Sequence, residues 1–356
     1  MSRFNKNKIP LKAHYAKMTK GTHKLFEKND LCLLSELGCT SAPINSHSLQ
    51  EAAIRRIVDK TNHVYAFQSP SFIELNEIYD KAIYLPKKIS ASNASIFKGF
   101  CLNHDTDLFR CIEKEKIEPT PKQLHALHLR AIARLLFNHN GGSKAMDNIL
   151  NYDYPDYHNP KDRLSDLSNE LQPRKIIREQ LIRDTSEVIN TIENSGTKMQ
   201  SYIIFRLESP PSIMCSTMFV PTFDFKGNEL LISEKQEEAS CLCVTISSDI
   251  SGGYVILQWN KQNEITQQII SSLYESNLDI NKLLAMSVLF SDYIFQIDWW
   301  EELGSVQKQV ITHFAMSEYF TRELKDSSVP RKMYNYFLSK NIRLVDWTVV
   351  EMKSNA

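Results

Sequence analysis

Four side chains in this sequence have the types and the paired spacing that a tetrahedral metal site requires: Cys32-x6-Cys39 and Cys101-x2-His104. Zinc takes four nitrogen or sulfur ligands, and proteins usually supply them as two short-range pairs brought together by the fold. The first pair lies in a turn-rich stretch containing Gly38-Cys39 and Ala42-Pro43, which suits a metal knuckle better than a regular element. The second sits at the head of a helical pattern, where positions three apart share a face. A structural Zn²⁺ held by Cys32, Cys39, Cys101 and His104 is therefore expected. The spacing of the first pair is unusual, so Cys32 can also be read as a core thiol in its leucine-rich run, with His47 as the substitute ligand.

The other groups able to do chemistry read as structure. His125 and His128 share one face of an amphipathic helix and read as a structural pair. Trp299-Trp300, flanked by Ile297 and Leu303, reads as core. Cys215, Cys241 and Cys243 lie in apolar, strand-like surroundings, and Cys111 lies in Leu-Phe-Arg-Cys-Ile-Glu. All four read as core thiols. No phosphate-binding loop, dinucleotide fingerprint or Ser-His-Asp order is present.

The whole chain sets wider limits. Its 356 residues, 42% apolar and 24% charged, suit two or three folded domains. With 42 basic and 42 acidic side chains there is no global field to steer it toward nucleic acid or membrane. The charge is nonetheless uneven, because residues 1–28 carry eight basic side chains against Glu27 alone. Such a tail can follow a phosphate backbone, or it can be a solvated leader. The start has no apolar core of signal length and no later stretch reaches membrane-span length. A cytoplasmic protein is expected, and seven cysteines in such a chain favour metal or reduced thiols over a disulfide framework.

The elements that must position these groups can be outlined. A basic tail, 1–30, precedes the zinc module, 31–117. Within it Ser46 or Ser48 caps a helix carrying Leu49, Ala53, Ile54 and Ile57, His63–Phe67 forms a short strand, and Pro86-Lys87-Lys88 is an exposed connection. From Ser95 a short helix carries Phe97, Cys101, His104 and Leu108. Glu113–Gln123, with its Pro-Thr-Pro, is the linker. A helical region follows over 118–200: Lys122–Asn138 is amphipathic, the Asn-His-Asn-Gly-Gly run stops it, and Leu164–Glu193 returns as the second arm of a hairpin. Residues 201–356 form a mixed domain with a β-hairpin across Ser248–Gly253, helices over 266–323 and a last edge strand in Leu344–Met352. The expected fold class is α+β.

The run Cys39, Ala42-Pro43-Ile44, Ser46-His47-Ser48-Leu49-Gln50, Ala94-Ser95, Phe97, Gly99-Phe100-Cys101, His104-Asp105, Leu108-Phe109 and Ile112-Glu113 resembles a family of uncharacterised bacterial proteins with an HNH-like zinc module. The resemblance extends through Ile213–Val220, Asp224-Phe225 and Trp299-Trp300. It implies a treble-clef or ββα-type module and metal-dependent nuclease chemistry in anti-phage defence or a mobile element. His47 would be the general base, Asn93 would orient it, and Asp105 would hold a catalytic Mg²⁺ or Mn²⁺. Nucleic acid is the implied partner, with the C-terminal domain free to sense a protein or ligand. Three departures stand against the carry-over: Ser46 precedes His47 where a metal-binding aspartate or histidine is usual, the His47-to-Cys101 gap is long, and the glycine-rich hairpin is missing. The alternative is a non-catalytic zinc-organised binding module. In it His47 caps a helix or binds the structural zinc, Asn93 is a cap, and Asp105 is an acid favoured by the helix dipole.

Overall fold

The computed structural model describes residues 30–35, 38–68, 84–150, 201–230, 241–260 and 263–355, with the isolated residues 179, 182, 183 and 186. The basic tail up to residue 29 and nearly all of the expected second arm of the helical hairpin lie outside these residues.

The chain is mixed α and β, and its strands pair antiparallel. Strand β1 (Asn45–His47) leads to a short helix α1 (Glu51–Ile54), then to β2 (His63–Ala66), β3 (Lys87–Ser90) and β4 (Ile96–Lys98). Helices α2 (Leu102–Glu113) and α3 (Pro121–Leu150) follow. Strands β5 (Ser201–Leu207), β6 (Ile213–Phe219), β7 (Leu242–Asp249) and β8 (Gly252–Trp259) precede α4 (Glu264–Glu275) and α5 (Ile280–Leu289). The chain closes with β9 (Ile294–Phe295), α6 (Ile297–Glu302), α7 (Ser305–Ala315), α8 (Ser317–Leu324), α9 (Val329–Ser339) and β10 (Val349–Ser354).

One eight-stranded sheet runs in the order β10-β5-β8-β7-β6-β9-β2-β3, and β1 and β4 form a separate two-stranded ribbon. Strands β2 and β3 come from the segment that carries the candidate metal ligands, yet β2 pairs with β9. The N-terminal part is thus stitched into the sheet of the C-terminal part. Alternation along the strands explains the two faces. Ile203, Phe205, Val244, Ile246, Val255 and Leu257 enter a core with α4, α5, α7 and α9. Tyr202, Ile204, Cys243, Tyr254 and Ile256 face α3 and the helix α2 that carries His104. Both faces are covered, so the central strands are buried along almost their whole length.

Several expectations hold: β2 forms within His63–Phe67, the β7–β8 hairpin turns between Asp249 and Gly252, and β10 is an edge strand. Cys215 and Cys243 are buried, while Cys111 and Cys241 are partly buried against the α3-side core. Trp300 is core and Trp299 packs against it.

Others are corrected. Ser46 does not cap a helix; it sits in β1, and its buried Oγ accepts from the Phe100 amide at 3.1 Å. Ser48 does not cap one either, since α1 starts at Glu51 after Gln50 with no side-chain cap. The helix expected from Ser95 starts at Leu102, because Ile96–Lys98 is used by the ribbon with β1 and Cys101 is still extended, at φ −73° and ψ 165°. Lys87 and Lys88 belong to edge strand β3, a place that tolerates lysines. The run Asn138–Gly142 does not stop α3, which continues to Leu150. An internal glycine costs a helix only about 1 kcal/mol, and Gly141 lies on the buried side, where packing offsets it.

Candidate metal centre

The knuckle and the start of α2 are held together by main-chain hydrogen bonds before any metal is considered. Leu33 donates to Gly99 O at 2.9 Å and Ile44 to Phe100 O at 2.8 Å. Within the knuckle, Cys32 donates to Ser41 O and Cys39 to Leu34 O, at 3.1 and 3.2 Å. Gly38 has φ +91°, the left-handed conformation that makes the turn into Cys39 and that glycine adopts without strain. The amide of Cys101 points at Cys32 Sγ, 3.4 Å away. Two segments about 70 residues apart in sequence therefore present their ligands to one point.

The candidate donor atoms of Cys32, Cys39, Cys101 and His104 all lie within 4.8 Å of one another. His104 Nδ1 is 3.3 Å from Cys101 Sγ and 3.6 Å from Cys32 Sγ, and the sulfurs of Cys39 and Cys101 are 3.9 Å apart. A tetrahedral zinc with bonds of ~2.3 Å to sulfur and ~2.0 Å to nitrogen has edges of roughly 3.8 Å between sulfurs and 3.5 Å between sulfur and nitrogen. The measured separations straddle those edges, so the four side chains could hold a metal such as zinc. Among the described residues this is the one group of three or more His, Cys, Asp or Glu side chains with that capacity.

The thiols differ in their ease of ionisation. Burial pushes the Cys32 thiol up to about 11, with the neighbouring cysteines adding to the rise. Cys39 is held below its ordinary value, first by the Ser41 backbone. A bound cation would supply the missing stabilisation of the Cys32 thiolate, displacing a proton as it does so.

His47 is not part of the cluster. It stands at the end of β1 opposite Ile96, with Nδ1 3.1 Å from Ala94 O and 3.4 Å from Ser95 Oγ. A carbonyl only accepts, so Nδ1 carries the hydrogen, and in the neutral ring Nε2 holds the lone pair. A substitute for Cys32 is not needed, because Cys32 itself lies in the cluster. Asn93 is exposed in the turn before β4, and Asp105 is half-buried in the first turn of α2, where its amide donates to Cys101 O. Among the described residues no hydrogen bond joins His47, Asn93 and Asp105. Sequence reasoning missed Ser95, which holds His47 and also bonds Leu49 through its hydroxyl, from a backbone with φ +62°. A lone serine before a strand carries no signal of that role.

His125 and His128 lie three positions apart on α3, His125 buried and His128 partly so. Burial, with His125 close by, pushes His128 down to about 3, which keeps its imidazole neutral. A concavity of about 600 Å³ lined by Tyr65, Tyr84, Trp300, Glu301, Lys308 and His313 contains none of the residues singled out as ligands or catalysts. No helix among the described residues is long and apolar enough to cross a membrane.

Compared with protein-family models, with curated proteins and with solved structures, the chain matches none.

Proposed function

We propose that this protein is a metal-dependent nuclease of HNH-like type, hydrolysing phosphodiester bonds in nucleic acid, with His47 as general base. The observation that carries the reading is the state of His47: it stands outside the Cys/His cluster, with Nδ1 fixed on Ala94 O and Nε2 without a partner among the described residues. A ring so held presents a basic nitrogen in one orientation, as abstraction of a proton from water requires. The order of parts also supports it. Ribbon β1–β4 followed by α2 is a ββα arrangement, and the long His47-to-Cys101 gap is an insertion between the two ribbon strands that contributes β2 and β3 to the large sheet. The eight basic side chains in residues 1–28 suit a phosphate-bearing partner.

In this reading Cys32, Cys39, Cys101 and His104 hold a structural zinc that fixes the ribbon against α2. Asp105 is the protein's oxygen ligand for Mg²⁺ or Mn²⁺, which would stabilise charge on the scissile phosphate, and Asn93 orients water or substrate. An antiviral role in bacteria follows from the resemblance of the sequence motifs, with the C-terminal sheet and helices as the part that senses a partner. Incubating the purified protein with plasmid and with RNA, in Mg²⁺ and in Mn²⁺, tests the activity; cleavage that EDTA stops is expected.

A non-catalytic binding module is the second reading. It is favoured by the solitary position of Asp105, since Ser46, where a second metal ligand would stand, spends its hydroxyl on the Phe100 amide. Nucleic-acid binding without cutting in any metal would make it the better account.

A further inference from the structure

The two edges of the large sheet are unlike. At one end β3 is guarded by Lys87 and Lys88, charges of the kind that discourage another strand from pairing. At the other end β10 pairs with β5 on one side only, and every one of its residues is exposed. Val350 is 62% and Met352 46% exposed. Beside them Tyr274, 41% exposed, places its hydroxyl 3.2 Å from Ser354 Oγ.

The register of β10 on β5 determines which backbone groups face outward. Asn355 donates its amide to Tyr202 O, so its main chain is directed at β5. Alternation directs the main chains of Lys353 and Glu351 the same way and leaves those of Met352 and Ser354 pointing off the sheet. The irregularity between Val349 and Glu351 confines regular pairing to the segment that follows.

A strand presenting such an edge can meet a copy of itself antiparallel about a two-fold axis, and the axis must pass through one residue, because paired positions need main chains facing each other. An axis at Glu351 sets Glu351 against Glu351, and one at Lys353 sets Lys353 against Lys353. An axis at Met352 lets the two Met352 residues exchange both main-chain hydrogen bonds. It sets Glu351 of each copy opposite Lys353 of the other, in the closer non-hydrogen-bonded positions where side chains interact most.

We infer that β10 pairs antiparallel with β10 of a second copy of this chain about an axis at Met352, joining two sheets into one and matching Glu351 with Lys353 twice. Within one chain Lys353 already lies 3.1 Å from Glu351 and 3.5 Å from Glu118; these are exposed pairs that can rearrange at little cost.

Sedimentation velocity across a concentration series tests this. Full-length wild type is expected to dimerise with concentration. Glu351→Lys alone and Lys353→Glu alone each put like charges opposite one another twice, and each should weaken the dimer about tenfold. An equimolar mixture of the two single variants restores both opposite-charge pairs and should recover the dimer as a heterodimer. Unchanged melting temperatures show that the variants fold, and Glu118→Gln, which touches only the contact within the chain, should leave dimerisation as in wild type. A wild type that stays monomeric at every concentration overturns the inference, as does a dimer indifferent to both single substitutions. So does a mixture no more associated than its components.

Discussion

Arg206 on β5 reaches across the Tyr254 ring on β8 to place Nη1 2.7 Å from Asp249 Oδ2 at the end of β7. The two side chains are 9% and 2% exposed, and both are tied to a third element. Asp249 Oδ2 also accepts the Ile117 amide at 2.7 Å, while Arg206 donates to the Ile117 carbonyl. Ile117 lies between α2, which carries His104, and α3. The buried ion pair therefore pins the helix bearing His104 to the central sheet.

Removing one member leaves the other charge buried and Ile117 short of a partner, so Asp249→Ala should cost about 3–5 kcal/mol. Urea unfolding measures it. Burial works against ionisation of Asp249, but the Ile117 amide and Arg206 outweigh it and hold the carboxyl below its ordinary value. Its contribution is therefore complete above the unfolded carboxylate range and is lost as pH falls through the lower folded value. The difference in stability between wild type and Asp249→Ala should shrink on acidification below about pH 4.

The Cys/His cluster predicts one zinc per chain in protein purified without chelator. Cys101→Ser should lower metal content and melting temperature together, because metal binding in a site closed by distant segments is part of the folding free energy. Elemental analysis with a thermal melt checks both. Zinc-free wild type of unchanged stability would remove the metal reading.

These expectations were legible in the sequence to different depths. Cys32, Cys39, Cys101 and His104 were readable because ligand chemistry restricts residue type and pairing, even though 62 positions separate Cys39 from Cys101. The β7–β8 hairpin was readable from its turn residues, and β10 from its apolar strand composition. The helix proposed from Ser95 went wrong because Phe97, Cys101 and Leu108 keep helical spacing by coincidence, while β4 is specified by pairing with β1 half a hundred residues earlier. The joining of β2 to β9 was invisible for the same reason: strand pairing over more than 200 residues leaves no local pattern. Asn138–Gly142 has the composition of a turn, but Gly141 lies on the buried side of α3 and packing carries the helix past it.

His128 gives a second pH signature, of the same sign as Asp249 but in another window. Its folded value, near 3, lies below the ordinary 6.5, so the unfolded chain binds the extra proton between these limits. Its contribution is complete above about pH 6.5 and declines as pH falls toward the folded value. His128→Gln should flatten the loss of stability between pH 6.5 and 4.5, as denaturant titrations at several pH values would show. An identical pH profile in the variant would mean that His128 is open to water.

The nuclease reading turns on separating a base from a scaffold at His47. If His47 takes a proton from the attacking water, His47→Ala should reduce plasmid or RNA cleavage at least a hundredfold. Zinc content should stay at one per chain and the melting temperature should hardly move, since the ring lies outside the Cys/His cluster and its bonds to Ala94 and Ser95 are partly exposed. Asp105→Ala should also lose activity but regain part of it at high Mg²⁺ or Mn²⁺, because it removes an ion ligand and leaves the base in place. A different outcome, loss of zinc and stability on replacing His47, would make the histidine structural. Wild type that binds nucleic acid yet cuts none in either metal would leave Nε2 of His47 without a catalytic task, and the binding-module reading would replace the nuclease.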